Sequence, residues 1–302
     1  MLNIIANFIA IILSFWMPPL DAVYASGPWR GAEACLGANH LPANAERLAV
    51  SKPAPDVAAK SAAVLSDDGH LWLNIKEDKR RQPIASITKL MTALVFLDHN
   101  PGWEKSYTIK REDLVDGGKV NLFLGETILV KDLFNATLVA SDNGATLALA
   151  RSTNLSDSEF VAAMNDKAHS LGLMQTEFSD PIGLNNDNLS NVKDVARLGQ
   201  IAFDRADIAA AVALSDYSFT TAQGQLKNLE STDWLLAGNV GEIEALGGKT
   251  GYTEQAGYCF VGRFRDSQGR SVIVAVLDAG TKNDRFRQAR LLATWSFTYC
   301  QW

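Results

Sequence analysis

The stretch PIASITKLMTALVFLD, residues 83–98, places a hydroxyl and an ammonium at the start of an apolar helix. From Leu90 to Leu97 nearly every residue is apolar, which predicts a helix buried on all sides. Ser86 and Lys89 precede this run three residues apart, so the helical repeat puts them on one face. Burial and the positive end of the helix both disfavour a charged lysine, so Lys89 is predicted to be a base near neutral pH.

A serine hydroxyl becomes an effective nucleophile only when a nearby base removes its proton. Lys89, one turn from Ser86, is the candidate base. A second Ser-x-x-Lys pattern occurs at Ser190–Lys193, as expected by chance in a chain of 302 residues. There Ser190 is predicted to cap a helix and Lys193 to face solvent.

Two further short motifs follow the first in order along the chain. Ser141-Asp142-Asn143 comes after the apolar run 136–140, and Lys249-Thr250-Gly251 lies among glycines 247, 248 and 251. These glycines are predicted to let a substrate backbone approach a strand closely. The three motifs, in this order and in these settings, are typical of penicillin-recognising serine enzymes.

The sequence resembles the low-molecular-mass penicillin-binding proteins of the D-Ala-D-Ala carboxypeptidase type over roughly residues 57–300. The resemblance rests on residues 83–98, on LVASDNGATLALA (138–150), on FSDPIGLNNDNLSNVKDVARL (178–198) and on GGKTGYTEQAGYCFVGR (247–263). It implies an α+β fold of the β-lactamase/transpeptidase type. In that fold an antiparallel sheet is flanked by helices and carries an inserted helical lobe.

The resemblance implies three catalytic residues. Ser86 is the nucleophile, Lys89 is its base, and Ser141 relays a proton to the leaving amine. The backbone N–H groups of Ser86 and Tyr252 form the oxyanion hole, which acts on charge that develops in the transition state.

The resemblance also implies a set of substrate-binding residues: Asn143, Lys249, Thr250, Gly251 and Tyr252. Asn143 holds the substrate amide, while Lys249 and Thr250 bind the terminal carboxylate. The implied activity is a serine D,D-carboxypeptidase that removes the terminal D-Ala from peptidoglycan stem peptides. It requires no cofactor or metal, and penicillin and other β-lactams acylate it.

Three alternatives stay open. A D,D-endopeptidase would cleave the cross-link between two stems with the same catalytic residues. A β-lactamase would need a deacylating glutamate, and Glu177 lies 36 residues after Ser141 (177 − 141). The residues after Glu177 fit the carboxypeptidase pattern, however, so Glu177 is predicted to face solvent. A catalytically silent wall-binding protein is disfavoured because the motif residues are intact.

Composition excludes other classes of protein. The net charge of −6 and the pI near 5.3 argue against nucleic-acid binding, which requires a basic patch. No spacing of cysteine and histidine indicates a zinc site.

The N-terminal segment predicts export. Residues 1–25 resemble a signal peptide, because Leu2–Met17 is apolar and uncharged and small residues precede a cleavage point after Ala25. The absence of Lys and Arg before the apolar run leaves an uncleaved membrane anchor as the alternative. Residues 26–56 are predicted to be a linker or lead-in, and 57–302 to be the catalytic domain. The predicted location is the periplasm or cell-wall compartment.

Strands are predicted at both ends of the domain and helices in its middle. Two β-hairpins are predicted at 62–75 and 258–277. Helices are predicted at 160–171, after a Ser156/Glu159 capping box, at 192–202 and at 283–297.

Three cysteines are too few for a disulfide-built scaffold. Cys259 lies in an apolar run and is predicted to be a buried free thiol. A bridge between Cys35 and Cys300 is conceivable in an exported protein, and the residues leave it open.

Overall fold

A five-stranded antiparallel sheet, assembled from both ends of the domain, lies at the centre of the fold. The computed structural model describes residues 52–118, 120–237, 243–300 and 302. The predicted signal peptide therefore lies outside the described residues. None of the described helices combines the length and apolar character needed to cross a membrane.

The strands of the described residues are β1 (Ser61–Ser66), β2 (Trp72–Lys76), β3 (Gln82–Pro83), β4 (Ser106–Thr108), β5 (Thr127–Leu129), β6 (Leu189–Ser190), β7 (Asp216–Thr220), β8 (Leu226–Glu230), β9 (Ile243–Thr253), β10 (Gly257–Asp266) and β11 (Ser271–Ala279). The sheet has the order β2-β1-β11-β10-β9, and every neighbouring pair is antiparallel. Both predicted hairpins, β1–β2 and β10–β11, are confirmed.

The helices of the described residues are α1 (Lys89–Asp98), α2 (Val130–Val139), α3 (Asn143–Ser152), α4 (Asp157–Ser170), α5 (Val192–Phe203), α6 (Ala206–Val212) and α7 (Lys282–Tyr299). The helices α4, α5 and α7 confirm the three predicted from periodicity and capping. The capping box at the start of α4 is also present.

The apolar run of β11 is buried on both faces of the sheet, as a continuous hydrophobic strand requires. Ile273 and Leu277 face the larger core, which also contains residues of α5 and α1. Val274 and Val276 face the second core, against α7. Because both faces are covered by helices, the sheet is a rigid layer from which β9 can present the Lys249 motif. This is the α+β arrangement expected from the sequence.

One hairpin in the middle of the chain was not predicted. β7 and β8 pair in antiparallel register, but the usual alternation is inverted at the first two residues of β8. Lys227 points inward and its Nζ lies 2.6 Å from the Glu126 carboxylate, while Leu226 is exposed. A buried ion pair thus occupies the position where a sequence pattern would require an apolar residue.

The structure decides which residue caps α5. The prediction that Ser190 caps α5 is wrong, because the cap is Asn191, whose side chain accepts the N–H of Asp194. Ser190 lies in β6, and its hydroxyl is 2.8 Å from that of Thr176. The tertiary pairing of β6 with β3 displaces the helix start by one residue.

The cysteine predictions are resolved in part. Cys259 is a free and fully buried thiol, as predicted. Cys300 is disulfide-bonded. Cys35 lies outside the described residues, so the pairing of Cys35 with Cys300 stays a prediction.

Candidate active site

Ser86 lies in a short 3-10 turn, Ala85–Thr88, that leads directly into α1. Ala85 has a φ of +49°, a conformation that costs free energy in a residue with a side chain. The turn brings Ser86 and Lys89 onto one side of the backbone, as the helical spacing predicted. The Nζ atom of Lys89 lies 2.9 Å from the Oγ atom of Ser86.

Lys89 is fully buried, and its ammonium nitrogen has three oxygen neighbours. Besides Ser86, the Nζ donates to Asn143 Oδ1 at 2.8 Å and to the Ile182 carbonyl at 2.7 Å. Burial lowers the pKa of Lys89 to about 7, while the negative charges of Asp142 and Asp180 act in the opposite direction. Lys89 is therefore able to exchange a proton near neutral pH.

Ser141 lies between α2 and α3, where the chain turns sharply and Ser141 adopts a φ of +58°. The next residue, Asp142, is the N-cap of α3, and its Oδ1 accepts the N–H of Ala145 at 2.7 Å. Capping fixes the start of α3 and with it the position of Asn143. The Nδ2 of Asn143 donates to the Gly117 carbonyl at 3.0 Å, which orients its Oδ1 toward Lys89.

Lys249 lies on β9 and is also fully buried. Its Nζ donates to Ser141 Oγ at 2.8 Å and to the Thr250 carbonyl at 3.1 Å. Burial lowers the pKa of Lys249 well below its usual value, and the positive charges of Lys89 and Arg285 lower it further. The first and third motifs therefore affect each other electrostatically, and the second motif connects to both through hydrogen bonds.

The glycines around Lys249 make room for the protein itself. A Cβ on Gly248 would lie 2.6 Å from the Phe260 ring, and one on Gly247 would lie 2.8 Å from the Val212 carbonyl. A Cβ on Gly251 would lie 2.7 Å from the Ile84 carbonyl and 3.2 Å from the Ser86 nitrogen. Contacts within the protein already account for all three glycines, and the expectation that they also let a substrate approach the strand stays a prediction.

A cleft of about 430 Å³ opens above this group of residues. Its lining includes six of the eight predicted site residues: Ser86, Ser141, Asn143, Thr250, Gly251 and Tyr252. The two lysines do not line the cleft, since they lie fully buried against the hydroxyls of Ser86 and Ser141. The structure thus brings all eight predicted residues together.

Several cleft residues were not singled out from the sequence. They include Thr232, Trp234, Lys282 and Arg285. The hydroxyl of Thr232 accepts a hydrogen bond from Thr250 Oγ1 at 2.7 Å. Single residues outside a motif carry no local signal, so only the packing reveals them.

Arg285 approaches β9 from the start of α7. Its Nη1 donates to the carbonyls of Gly251 at 3.2 Å and Cys259 at 3.5 Å. Burial lowers the pKa of Arg285 to about 10. Asp233 is also buried, its Oδ1 accepts the N–H of Leu235 at 3.0 Å, and burial raises its pKa to about 6.

The carbonyl of Ile182 is held against Lys89 by a loop that Asp180 organises. Asp180 Oδ1 accepts the N–H groups of Ile182 at 2.7 Å and Gly183 at 2.5 Å, and Oδ2 accepts that of Asn185 at 2.6 Å. Gly183 has a φ of +81°, and a Cβ there would lie 2.1 Å from the Ala85 carbonyl. This loop lies within the stretch 178–198 that carries the resemblance, but no role was predicted for Asp180.

Glu177 lies outside the cleft. Its side chain is exposed and forms an ion pair with Arg81 at 3.1 Å. The prediction that Glu177 faces solvent is confirmed, which removes the observation that favoured a β-lactamase. No group of three potential metal ligands occurs among the described residues.

The fold and this arrangement define a class of serine enzymes with a penicillin-binding fold. Penicillin-binding protein D2 of Listeria monocytogenes, solved in a cefotaxime-bound form, is 33% identical with a TM-score of 0.70. The match covers 82% of this chain and 100% of that one. A Streptomyces DD-transpeptidase matches at 25% identity with a TM-score of 0.74, covering 82% of this chain and 99% of that one.

Sequence comparison is more specific. The family model described as D-alanyl-D-alanine carboxypeptidase matches residues 48–281. The chain therefore belongs to the D-alanyl-D-alanine carboxypeptidase family, whose members are serine peptidases and low-molecular-mass penicillin-binding proteins.

Similar proteins carry two different activity names. A D-alanyl-D-alanine endopeptidase of Haemophilus influenzae is 36% identical over 182 residues, which are 60% of this chain and 61% of that protein. An endopeptidase of Escherichia coli is 31% identical, covering 80% of this chain and 78% of its own length. The carboxypeptidase DacF of Bacillus subtilis is 29% identical, covering 80% and 62%. The matches thus span less than two thirds of the Haemophilus and Bacillus proteins.

Proposed function

We propose that this protein is a serine D,D-peptidase of bacterial peptidoglycan that removes the terminal D-Ala of stem peptides through an acyl-enzyme on Ser86. The observation that carries this proposal is the contact between Lys89 Nζ and Ser86 Oγ, 2.9 Å long and adjacent to a cleft. Serine needs a base, and a buried lysine with a pKa of about 7 supplies one.

Acylation begins when Ser86 Oγ bonds to the carbonyl carbon of the penultimate D-Ala and its proton passes to neutral Lys89. The oxygen of the tetrahedral intermediate becomes negative, and the N–H groups of Ser86 and Tyr252 stabilise it. The packing of β9 beside the 3-10 turn supports this pairing, because a Cβ on Gly251 would lie only 3.2 Å from the Ser86 nitrogen.

The intermediate collapses when the carbon–nitrogen bond breaks. Ser141 Oγ gives its proton to the leaving amine and recovers one from Lys249 Nζ, 2.8 Å away. The terminal carboxylate of the substrate binds at Lys249 and Thr250, and Asn143 holds the substrate amide. A bound carboxylate raises the pKa of Lys249, so binding prepares Lys249 to donate.

Water then hydrolyses the acyl-enzyme. Once the amine has left, proton exchange with solvent returns Lys89 to its neutral form and Lys249 to its charged form. The water oxygen then bonds to the acyl carbon, one water proton passes to Lys89, and Lys89 gives it to Ser86 Oγ as the ester bond breaks. A β-lactam follows the first step in the same way: Ser86 opens the lactam ring and the protein remains acylated. No step requires a cofactor or a metal.

A second candidate is a D,D-endopeptidase that cleaves cross-links between stems. The Haemophilus and E. coli relatives, which bear endopeptidase names, favour it. The chemistry is the same in both cases, because each leaving group is a D-amino acid with a free carboxylate beside its amine. The substrates differ in what is attached to that leaving residue.

Intact mass spectrometry after mixing residues 26–302 with benzylpenicillin tests the proposal. We expect one adduct that persists for minutes or longer and maps to Ser86. Ser86→Ala should abolish the adduct, whereas Ser190→Ala, in the second Ser-x-x-Lys pattern, should retain it. Labelling of the Ser86→Ala protein would refute the proposed nucleophile. Rapid loss of the adduct together with consumption of penicillin would indicate a β-lactamase.

A further inference from the structure

A second groove continues from the cleft on the far side of Trp234. Trp234 lines both spaces, and the groove has a volume of about 630 Å³, larger than the cleft itself. Trp234 is half-exposed and its ring stacks on Phe286 at 6.2 Å between centroids. A ligand too large for the cleft can therefore extend past this indole along the protein surface.

One wall of this groove is a single face of α7. The side chains that form it are Asn283, Arg287, Arg290, Leu291 and Thr294. Their spacing of four, three, one and three residues places them along one side of a helix. From 283 to 294 the helix rises about 16 Å, the length of about five extended peptide residues. Leu235 and Phe286 complete the groove.

The chemistry of the groove is cationic and apolar. Arg287 is exposed over three quarters of its side chain and pairs with Asp284 at 2.7 Å, at the edge of the groove. Lys282 adds a further positive charge at the entrance, where its Nζ lies 3.8 Å from the centre of the Trp234 ring. Leu291 is 46% exposed in the same wall. No acidic residue occurs among the described residues that line the groove.

The groove starts at the end of the cleft where the leaving group is expected. Thr232 hydrogen-bonds to Thr250, a residue predicted to bind the carboxylate of the leaving residue. Trp234 follows two residues later, and Arg285 of α7 lines the same end of the cleft. Atoms attached to the leaving D-amino acid therefore have a direct path into the groove.

We propose that this groove binds the second stem peptide of a cross-link, the part that leaves as the amine component, through carboxylates of that stem. A stem of four or five residues matches the length of the wall, its carboxylates complement the cations, and its alanine side chains suit Leu235 and Leu291. This inference rests on the proposed acyl-enzyme on Ser86 and adds a subsite for the larger leaving group of the second candidate substrate, the cross-linked peptide.

Two soluble peptides test the inference: a cross-linked tetrapeptide dimer without sugars and a monomeric pentapeptide ending in D-Ala-D-Ala. We expect Arg287→Glu to lower the ratio of kcat/KM for the dimer to that for the pentapeptide about tenfold, the effect of one charge-assisted contact. Leu291→Glu should act in the same direction. Added salt should reduce the preference of the unaltered protein for the dimer, since the contacts are exposed.

Arg265→Glu is the matched control. Arg265 is also exposed and paired, with Glu244 at 2.8 Å, but it lines neither the cleft nor the groove. The control should leave the ratio unchanged.

Each other outcome has a distinct meaning. The groove assignment would be overturned if Arg287→Glu left the ratio unchanged or if Arg265→Glu lowered it equally. It would also be overturned if the preference for the dimer appeared only when sugars are attached. Pentapeptide hydrolysis without any cleavage of the dimer would also overturn it. Failure of benzylpenicillin to acylate Ser86 would instead refute the proposed function.

Discussion

Lys89 shows how burial and hydrogen bonding together can keep a lysine neutral near pH 7, so that it can accept a proton. Two of its three neighbours, Asn143 Oδ1 and the Ile182 carbonyl, are amide oxygens that only accept hydrogen bonds. A neutral amine can donate to both and direct its lone pair at Ser86. These contacts therefore suit the unprotonated form that catalysis needs, while burial disfavours the charged form.

The pH dependence of acylation follows from this arrangement. Only neutral Lys89 can accept the Ser86 proton, and its pKa is lowered to about 7. We expect the second-order rate constant for benzylpenicillin to rise about tenfold per unit as pH increases toward 7 and to level off above it. Stopped-flow or quenched mass measurements between pH 5.5 and 9 will show this.

Two variants control the pH experiment. Lys89→Arg places a permanently charged group beside Ser86 and should reduce acylation by about a thousandfold or more. Lys193→Arg, in the second Ser-x-x-Lys pattern, should leave the profile unaltered. A rate that does not vary between pH 6 and 8 would contradict the role of Lys89 as base.

At the scale of elements, the ends of secondary structures carry the site. A 3-10 turn before α1 holds Ser86, the Asp142 cap of α3 places Asn143, and a loop rather than a helix supplies the third neighbour of Lys89. That loop is ordered by the three amide hydrogen bonds that Asp180 accepts. Asp180 is thus a positioning residue that acts on Lys89 both through Ile182 and through its charge.

Asp180→Asn should change acylation in two ways. The new amide N–H₂ faces backbone N–H donors, so the loop loosens and the maximal rate should fall about tenfold to a hundredfold. The negative charge of Asp180 raises the pKa of Lys89. Its loss should therefore lower that pKa and move the acid limb of the profile to lower pH. Both changes appear in the same benzylpenicillin experiment.

Asp187→Asn controls for loss of one charge from the same loop. Asp187 is exposed and accepts none of the amide hydrogen bonds that hold the loop. We expect normal rates and a normal profile for it. An Asp180→Asn protein whose rate falls without any shift of the acid limb would indicate a structural role alone.

At the scale of the whole molecule, the site joins segments that are far apart in the chain. Lys249 reaches Ser141 across 108 residues, and Lys89 reaches Ile182 across 93. The sheet makes this possible because its strands come from both ends of the domain. Since β9 belongs to the central sheet, Lys249 is as rigidly placed as the core itself.

The location of the whole protein stays a prediction. Expression of the full-length chain in a bacterium should yield a periplasmic or wall-associated protein whose N-terminus is Ser26, because Leu2–Met17 is apolar and a small-residue site ends at Ala25. Cell fractionation and intact mass measure both properties. The full-length mass in the membrane fraction would favour the uncleaved anchor, and recovery of the intact chain from the cytoplasm would contradict export.

The sequence alone determined which chemistry this protein carries. The spacing of Ser86 and Lys89 is a short-range pattern, and so is each of the three motifs. The two outer hairpins and the capping box of α4 are also visible in short stretches of sequence. Helical and strand periodicities are local properties, so they survive without any knowledge of the packing. Seven of the eight predicted site residues lie in the three motifs, whereas Tyr252 and the role of each residue came from the family resemblance.

Only the tertiary structure decided what surrounds that chemistry. Lys89 contacts Asn143 and Ile182, which have no local sequence pattern in common with it. The same is true of the residues that line the groove beyond Trp234. The inward Lys227 of β8 was hidden because its partner, Glu126, lies about a hundred residues earlier (227 − 126). The contacts of the glycines near Lys249 likewise depend on which backbone and side-chain groups of distant segments pack against them. Burial and pairing are properties of the folded chain, and they arise when distant segments meet.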